Sequence, residues 1–384
     1  MEQDIYFMPL GGGQRVGASC YYLRIGDTNI ILDAGVGREN GMEFEPDFYT
    51  LVTSPFLQSM SQINQIYISH AHADHVGYLL KLMKHANRAD VYMTEITKLL
   101  SEFQLYDKLY FNGRNVKNEG ARLAAKSLLE KVATVSYMQK MDFGKYKVLF
   151  FPAGHIPGAM MILFDTGKRK ILYTGDYSLD STLLTGGCLI PSNIQIDTII
   201  MCGLHAKHPD YAKKADKLYR TVHYVLKSVE SRQQSILCNV AQLSKGIEFL
   251  KVLNERNHSG IPIYVDRSVM RIVSKMEKLS IPVLNQYNKV MGEEIAKEPH
   301  IYVTSDPRSR GFGFYQEVKV HFSLHEDFDE MKKFIKKVNP KQALVVHCAK
   351  EYSVFDSTIE QAMMADSECR TQFIFAEEKE IYRL

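Results

Sequence analysis

The 384-residue sequence predicts an α/β fold in which a strand-rich domain is interrupted by a smaller α/β cassette. Three observations carry this expectation. Residues up to about Met201 read as short apolar strands separated by turns. From about His205, amphipathic helices alternate with short strands, the pattern of a parallel sheet. Beyond Arg310 the chain returns to strand, helix and strand, so the middle segment is bounded on both sides by strand-rich sequence and reads as an insertion. The expected division is 1–205 for the first part of the main domain, 206–310 for the cassette and 311–384 for the return. At this length, two domains or one domain with an insertion is the ordinary outcome.

Taken in order, Leu10-Gly11-Gly12-Gly13 is a loop. Cys20–Ile25 and Asn29–Leu32 are strands joined at Gly26-Asp27, a hairpin signal. Gln65–Ser69 is a strand that ends at His70, Val76–Ala86 has helical spacing, and Asp90–Met93 is a strand. Val148–Phe151 and Met160–Phe164 are strands around the loop Ala153–Gly158, followed by strands at Lys170–Tyr173 and Thr198–Met201. In the cassette, Tyr211–Val229 and Gly246–Glu255 are helices, and Ile236–Val240, Ile261–Val265 and His300–Val303 are strands. Val318–Phe322, Phe328–Val338 and Ala343–Val346 then read as strand, helix and strand.

Composition narrows the class. Hydrophobic residues make up 45% and charged residues 24%, which excludes disorder, collagen and coiled coil for the chain as a whole. No apolar run approaches the length of a membrane span. Met1–Leu10 lacks the basic start of a signal peptide. Six cysteines without a C-x-x-C pair suit reduced thiols and a cytoplasmic protein. The net charge of +3 is unevenly spread. Ala206 to Arg310 carries 18 Lys and Arg against 11 Asp and Glu, a net +7, which leaves −4 for the rest. A basic middle beside an acidic remainder suits a polyanionic partner; a solvated helix face would give the same count.

Thirteen histidines are present, and three fall in one six-residue window, His70-Ala71-His72-Ala73-Asp74-His75, where a strand runs into a helix. Imidazole and carboxylate are zinc ligands, and the intervening alanines leave room for a metal. His155 in a Gly/Pro loop and Asp176 at a strand end would each be unremarkable alone. Together they complete a set. Two metals roughly 3.5–4 Å apart share a bridging group and need further ligands each. His70, His72 and His155 can serve one metal; Asp74, His75 and a further His can serve the other, with Asp176 between.

With those residues in place, the chain resembles the metallo-β-lactamase superfamily, and within it the β-CASP group of nucleic-acid-processing nucleases. Asp33 in Ile31-Leu32-Asp33-Ala34-Gly35 matches the first motif of the superfamily. The stretch from Leu10 to Cys20 is similar to the opening of the β-CASP group. Ser323-Leu324-His325-Glu326-Asp327 resembles its motif B, and Val345-Val346-His347 its motif C. The resemblance implies an αβ/βα sandwich with an inserted β-CASP-like cassette. It implies two Zn²⁺ ions, one on His70, His72 and His155, the other on Asp74, His75 and His347, with Asp176 bridging and Asp33 supporting. Asp74, Asp176 and His325 would be the catalytic residues. His325 would hold the scissile phosphate and could act as general acid, with Ser323 as a further substrate contact; Arg308 and Arg310 could contact phosphates, or they could belong to an exposed loop. Histidine at motif C is the form of the RNA-processing members. The implied function is a zinc-dependent ribonuclease acting on single-stranded RNA, with DNA as the other polymer, no membrane, and a homo-oligomer or a protein partner left open.

Three departures qualify the resemblance. Where the family carries a motif A acid, this chain has Cys202 in Met201-Cys202-Gly203-Leu204-His205; without that anion His325 should have a lowered pKa. Thr304-Ser305-Asp306-Pro307-Arg308-Ser309-Arg310-Gly311 resembles the family's phosphate loop only at its start. The cassette is also short. These departures keep two alternatives in view: a metallohydrolase of a small phosphodiester or other ester, and a zinc-containing nucleic-acid-binding subunit with little activity. His205 and His208 read as surface or packing residues.

Overall fold

In the computed structural model, which describes residues 4–107, 119–190, 194–211, 216–241, 243–292, 298–306, 314–348, 358–366 and 369–384, the chain divides into two compact units. The first comprises Met1–Leu179, Gly187–Ala212 and His325–Leu384; the second comprises Asp180–Gly186 and Lys213–Leu324.

Period-two burial builds the first unit. Neighbouring residues on one strand enter opposite cores: Phe7 and Met8, Tyr21 and Tyr22, Ile30 and Ile31, Tyr67 and Ile66, Tyr92 and Val91. One set packs between two seven-stranded sheets, together with Val148, Phe150, Ile162, Phe164, Ile171 and Leu344 of the second sheet. The other set packs beneath helices, against Phe48, Leu51, Val76, Leu79, Leu82 and Leu128. The first sheet runs Tyr382–Arg383, Ile5–Gly11, Cys20–Ile25, Thr28–Leu32, Gln65–Tyr67, Asp90–Thr94, Ala133–Val135. The second runs Gln372–Phe375, Gln342–Val346, Thr198–Cys202, Lys170–Tyr173, Met160–Asp165, Lys147–Pro152, Lys140–Asp142. Each fully buried Leu, Ile or Phe in these layers is worth roughly 1.5–3 kcal/mol. This is the expected sandwich.

The second unit is a five-stranded, wholly parallel sheet in the order Asn288–Val290, Ile263–Val265, Ile301–Thr304, Ile236–Asn239, Gln316–Lys319. The helices Lys217–Arg232, Lys245–Arg256 and Arg267–Lys278 belong to it. Gln316–Lys319 pairs with Ile236–Asn239, so this unit extends past Arg310 to Leu324. The reason is backbone pairing, which the sequence alone does not reveal.

Several elements differ from expectation. Val76–Ala86 is not one helix but part of two short ones, Ala73–Val76 and Leu79–Leu82. The expected helix from Tyr211 begins at Lys217. The strand Ile5–Gly11 and the helices Glu95–Asp107, Glu119–Lys131 and Arg267–Lys278 were not anticipated. Phe328–Val338 agrees residue for residue, because Asp327 accepts from the Glu330 amide (2.9 Å) while the Glu330 side chain accepts from the Asp327 amide (3.1 Å). The six cysteines form no disulfide. Among the described residues, no helix is long and apolar enough to cross a membrane.

Candidate metal centre

Strand direction assembles the site. Thr28–Leu32 is parallel to Gln65–Tyr67, and Lys170–Tyr173, Thr198–Cys202 and Gln342–Val346 are parallel to one another. Asp33, His70, Asp176, Cys202 and His347 lie at or just past the C-terminal ends of these strands, and His155 follows Lys147–Pro152. The chain turns outward there, and Asp33 and His347 take left-handed backbone (φ 61° and 52°), a conformation few non-glycine residues hold without cause. Close packing sets the window that follows His70. A Cβ on Gly35 would lie 1.7 Å from the Asp74 carbonyl oxygen, so only glycine admits this turn.

Two donor groups result. His70, His72, His155 and Asp176 have their ligand atoms within 4.8 Å of one another, and so have Asp74, His75 and His347. Asp176 Oδ2 lies 3.4 Å from His75 Nε2, 3.6 Å from His70 Nε2 and 3.8 Å from His155 Nε2, so its carboxylate touches members of both groups. His347 Nε2 is 3.8 Å from Asp74 Oδ2.

Hydrogen bonds on the outer side determine which nitrogens face inward. Asp33 accepts from the Ser69 amide (2.6 Å), Ser69 Oγ (2.7 Å), Tyr173 OH (2.5 Å) and His75 Nδ1 (2.7 Å). Because Ser69 spends its only proton on Asp33, its oxygen accepts from His70 Nδ1 at 3.0 Å. His70 therefore turns an unprotonated Nε2 inward, and His75 turns its Nε2 inward toward Asp176. Ser19 Oγ sits 2.8 Å from His347 Nδ1; an N–H donated there leaves Nε2 of His347 toward Asp74. His72 Nδ1 lies 3.1 Å from Nε2 of both His70 and His155. Among the described residues, Oδ1 of Asp176 is buried without a hydrogen-bond partner.

Nitrogen and carboxylate ligand atoms thus converge in one buried space, an arrangement that a cation stabilises. Burial, then neighbouring imidazoles, hold His70 well below the usual histidine range, and burial and His155 bring His72 down to about 3. Burial also opposes charge on His75, but Asp176 and Asp33 overcome it and raise its pKa. Burial alone would raise the Asp176 carboxyl, yet His75, His347 and His325 hold it well below the carboxylate range. Imidazoles fixed by outer hydrogen bonds, with an ionised carboxylate between them, are what a divalent metal requires; on His75 the metal would take the place of the inner proton. The donor set fits one.

His325 joins from the end of the second unit's excursion. Its Nδ1 is 3.6 Å from Asp176 Oδ2, its ring is 4.3 Å from that of His155, and its side chain remains 21% exposed. Burial, foremost, and His155 hold its pKa well below the usual range. The direction agrees with the sequence expectation, but burial and imidazoles are its largest causes. Cys202 forms a third group with Asp176 and His325, again within 4.8 Å. Its thiol is pushed up by burial, then by Asp176 and Glu326, and stays protonated at neutral pH. Ser323 belongs to the second unit. Arg308 and Arg310 lie outside the described residues. At the start of their loop, the Ser305 amide and hydroxyl both donate to Asp266 (2.5 and 3.0 Å), so these donors are already committed to a carboxylate.

Sequence reasoning missed four residues here: Ser19, Ser69 and Tyr173, which orient the ring of donors, and Glu326. Glu326 is fully buried beside Cys202. Burial, then Asp176, raises its pKa well above the usual value. An acid immediately after His325 was visible in the sequence; its burial near Cys202 and Asp176 was not.

Comparison with known proteins agrees with this geometry. Residues 13–217, just over half of the chain, match the model of the Metallo-beta-lactamase superfamily. The chain is similar to RNase aCSPSF2 of Saccharolobus solfataricus, at 29% identity over 69% of this chain and 52% of that protein. It is also similar to Cleavage and polyadenylation specificity factor subunit 3 of Dictyostelium discoideum, at 30% identity over 64% of this chain and 31% of that protein. The chain thus spans about half or less of the length of these relatives. A crystal structure of a protein of unknown function from Enterococcus faecalis shares the fold over 100% of both chains, with a TM-score of 0.67 and 14% identity.

Proposed function

The chain belongs to the metallo-beta-lactamase superfamily, and from that premise we propose that it is a zinc-dependent ribonuclease acting on single-stranded RNA. The observation that carries the proposal is the ring of inward-facing donors pinned from outside by Asp33, Ser69 and Ser19. The likeness to a named RNase, with histidine at position 347, favours RNA over other esters.

In this reading His70, His72 and His155 hold one Zn²⁺, Asp74, His75 and His347 hold the other, and Asp176 serves both. Bound zinc supplies Lewis-acid neutralisation of a phosphodiester and lowers the pKa of a water towards about 7. The protein's own part is orientation. Asp33 keeps protons on the outer nitrogens of His75 and, through Ser69, of His70, so that their Nε2 atoms are the ones turned inward. Asp74 and His325, 33% and 21% exposed, mark the open side by which a phosphate enters. His325 is neutral, so it serves as an N–H donor to a phosphoryl oxygen at the position where charge develops. That role replaces the general acid expected from sequence. The basic second unit contributes salt-dependent affinity for the strand without base selectivity.

The test is a denaturing-gel time course with zinc-loaded protein, end-labelled RNA and matched DNA, with metal counted by mass spectrometry. RNA cleavage that falls by at least two orders of magnitude in Asp74→Asn is expected. Two bound zincs with no cleavage of either polymer, alongside turnover of a small chromogenic diester, would overturn the ribonuclease reading in favour of a small-ester hydrolase.

A further inference from the structure

The segment after Cys202 folds as successive three-residue turns. The Ala206 amide donates to the Gly203 carbonyl, His208 to His205, and Tyr211 to His208, each at 3.0 Å. These separate turns fold the segment back on itself, so that the rings of His205 and Tyr211 stack 3.8 Å apart at an interplanar angle of 15°. Tyr211 nevertheless remains 36% exposed. The pair lines an open surface depression with Val16, Leu204, His208, Pro209 and Asp210.

Both walls begin at the metal centre. Leu204 is two residues beyond Cys202, whose Sγ clusters with Asp176 and His325. Val16 lies in the loop between Gly13, whose carbonyl accepts from the Cys348 amide (3.2 Å), and Ser19, which meets His347. We propose that this depression is a nucleobase subsite, in which a base of the substrate strand stacks on Tyr211 and donates an exocyclic amino hydrogen to Asp210. The inference rests on RNA being the substrate. Asp210 is what distinguishes the ligand. A carboxylate repels a phosphate, but it accepts a hydrogen bond from an amino-bearing base. Apart from His208 the lining is otherwise apolar and aromatic, and every base offers a face for stacking. His205 suits the role, since burial and then His208 bring its pKa down to about 4, so the platform carries no charge at neutral pH. Cytosine, adenine and guanine each carry such an amine and fit this chemistry; uracil, without one, does not.

The chain contains no tryptophan, so Tyr211→Trp places a single fluorescent reporter in the subsite. It is titrated with cleavage-resistant 2′-O-methyl phosphorothioate oligocytidylate, oligouridylate and an abasic strand of equal length, while polarisation of a labelled strand reports total binding. Oligocytidylate should quench the reporter at lower concentration than oligouridylate, and the abasic strand should bind without quenching. Asp210→Asn should remove the difference between the two bases. Tyr211→Ala should weaken oligocytidylate binding roughly 5- to 150-fold, the range for loss of one stacked base. A reporter that stays unquenched while polarisation shows saturation overturns the subsite, and RNA cleavage by the unmodified chain then leaves the ribonuclease reading standing. If no strand binds or is cut, both fall together.

Discussion

Asp33 shows how a residue that touches no metal in this reading governs those that do. One carboxylate oxygen takes hydrogen bonds from Ser69 Oγ, His75 Nδ1 and Tyr173 OH, and the other takes the Ser69 amide. Each bond places a proton on the outer side of the ring of donors. Asp33→Asn replaces a pure acceptor by a group that also donates, so the tautomers of His70 and His75 lose their constraint. The expected result is a fall in zinc affinity of about 10- to 100-fold, measured by competition with a chromophoric chelator. Tyr173→Phe, which removes one donor and leaves the carboxylate, should cost less in the same assay. Unchanged affinity in Asp33→Asn would mean that packing alone orients the imidazoles. Asp33 was legible from sequence by its place in Leu32-Asp33-Ala34-Gly35; its partners were not, because serine and tyrosine are too common to signal a role.

At the scale of elements, helix Lys245–Arg256 carries a buried carboxyl at Glu248. It accepts from the Leu183 amide (3.1 Å) and from Thr182 Oγ1 (3.0 Å). Burial is the largest influence and raises its pKa, with those two bonds and Lys251 opposing. A carboxyl with a raised folded-state pKa binds more protons when folded than when unfolded. Its stabilising contribution is therefore fullest below its unfolded value, near 4.3, and is lost as pH rises toward the folded value. Urea unfolding of the wild type should show this decline above about pH 4.3. Glu248→Gln, which retains an acceptor for the Leu183 amide, should flatten it and leave the variant the more stable protein at pH 7. The elements themselves were read unevenly. Phe328–Val338 announced itself through a capping box and a strong apolar period. Arg267–Lys278 has the same kind of period, with Val269, Ile272, Val273 and Met276 buried, but its β-branched residues mimic a strand.

At the scale of the whole molecule, both donor groups lie in the first unit, and none of their residues comes from the second. A ligand stabilises what it binds, so removing metal should act on one unit. Hydrogen exchange followed by mass spectrometry, with and without a strong chelator, is the measurement. Protection should fall in peptides around Asp33, His70–His75, His155, Asp176 and His347, and stay unchanged through Lys217–Arg232 and Arg267–Lys278. A uniform loss across both units would show that they unfold as one cooperative body.

By itself the sequence determined the two-part α/β plan, the parallel character of the second sheet and the identity of the donors. Those follow from local periodicity and from residue types too chemically costly to cluster without use. Only the tertiary structure decided where Gln316–Lys319 pairs, which nitrogen each imidazole turns inward, and that Glu326 is buried near Cys202 and Asp176. Each of these depends on contacts between residues far apart in the chain. Hydrogen-bond direction and burial are properties of such contacts, and no local pattern records them.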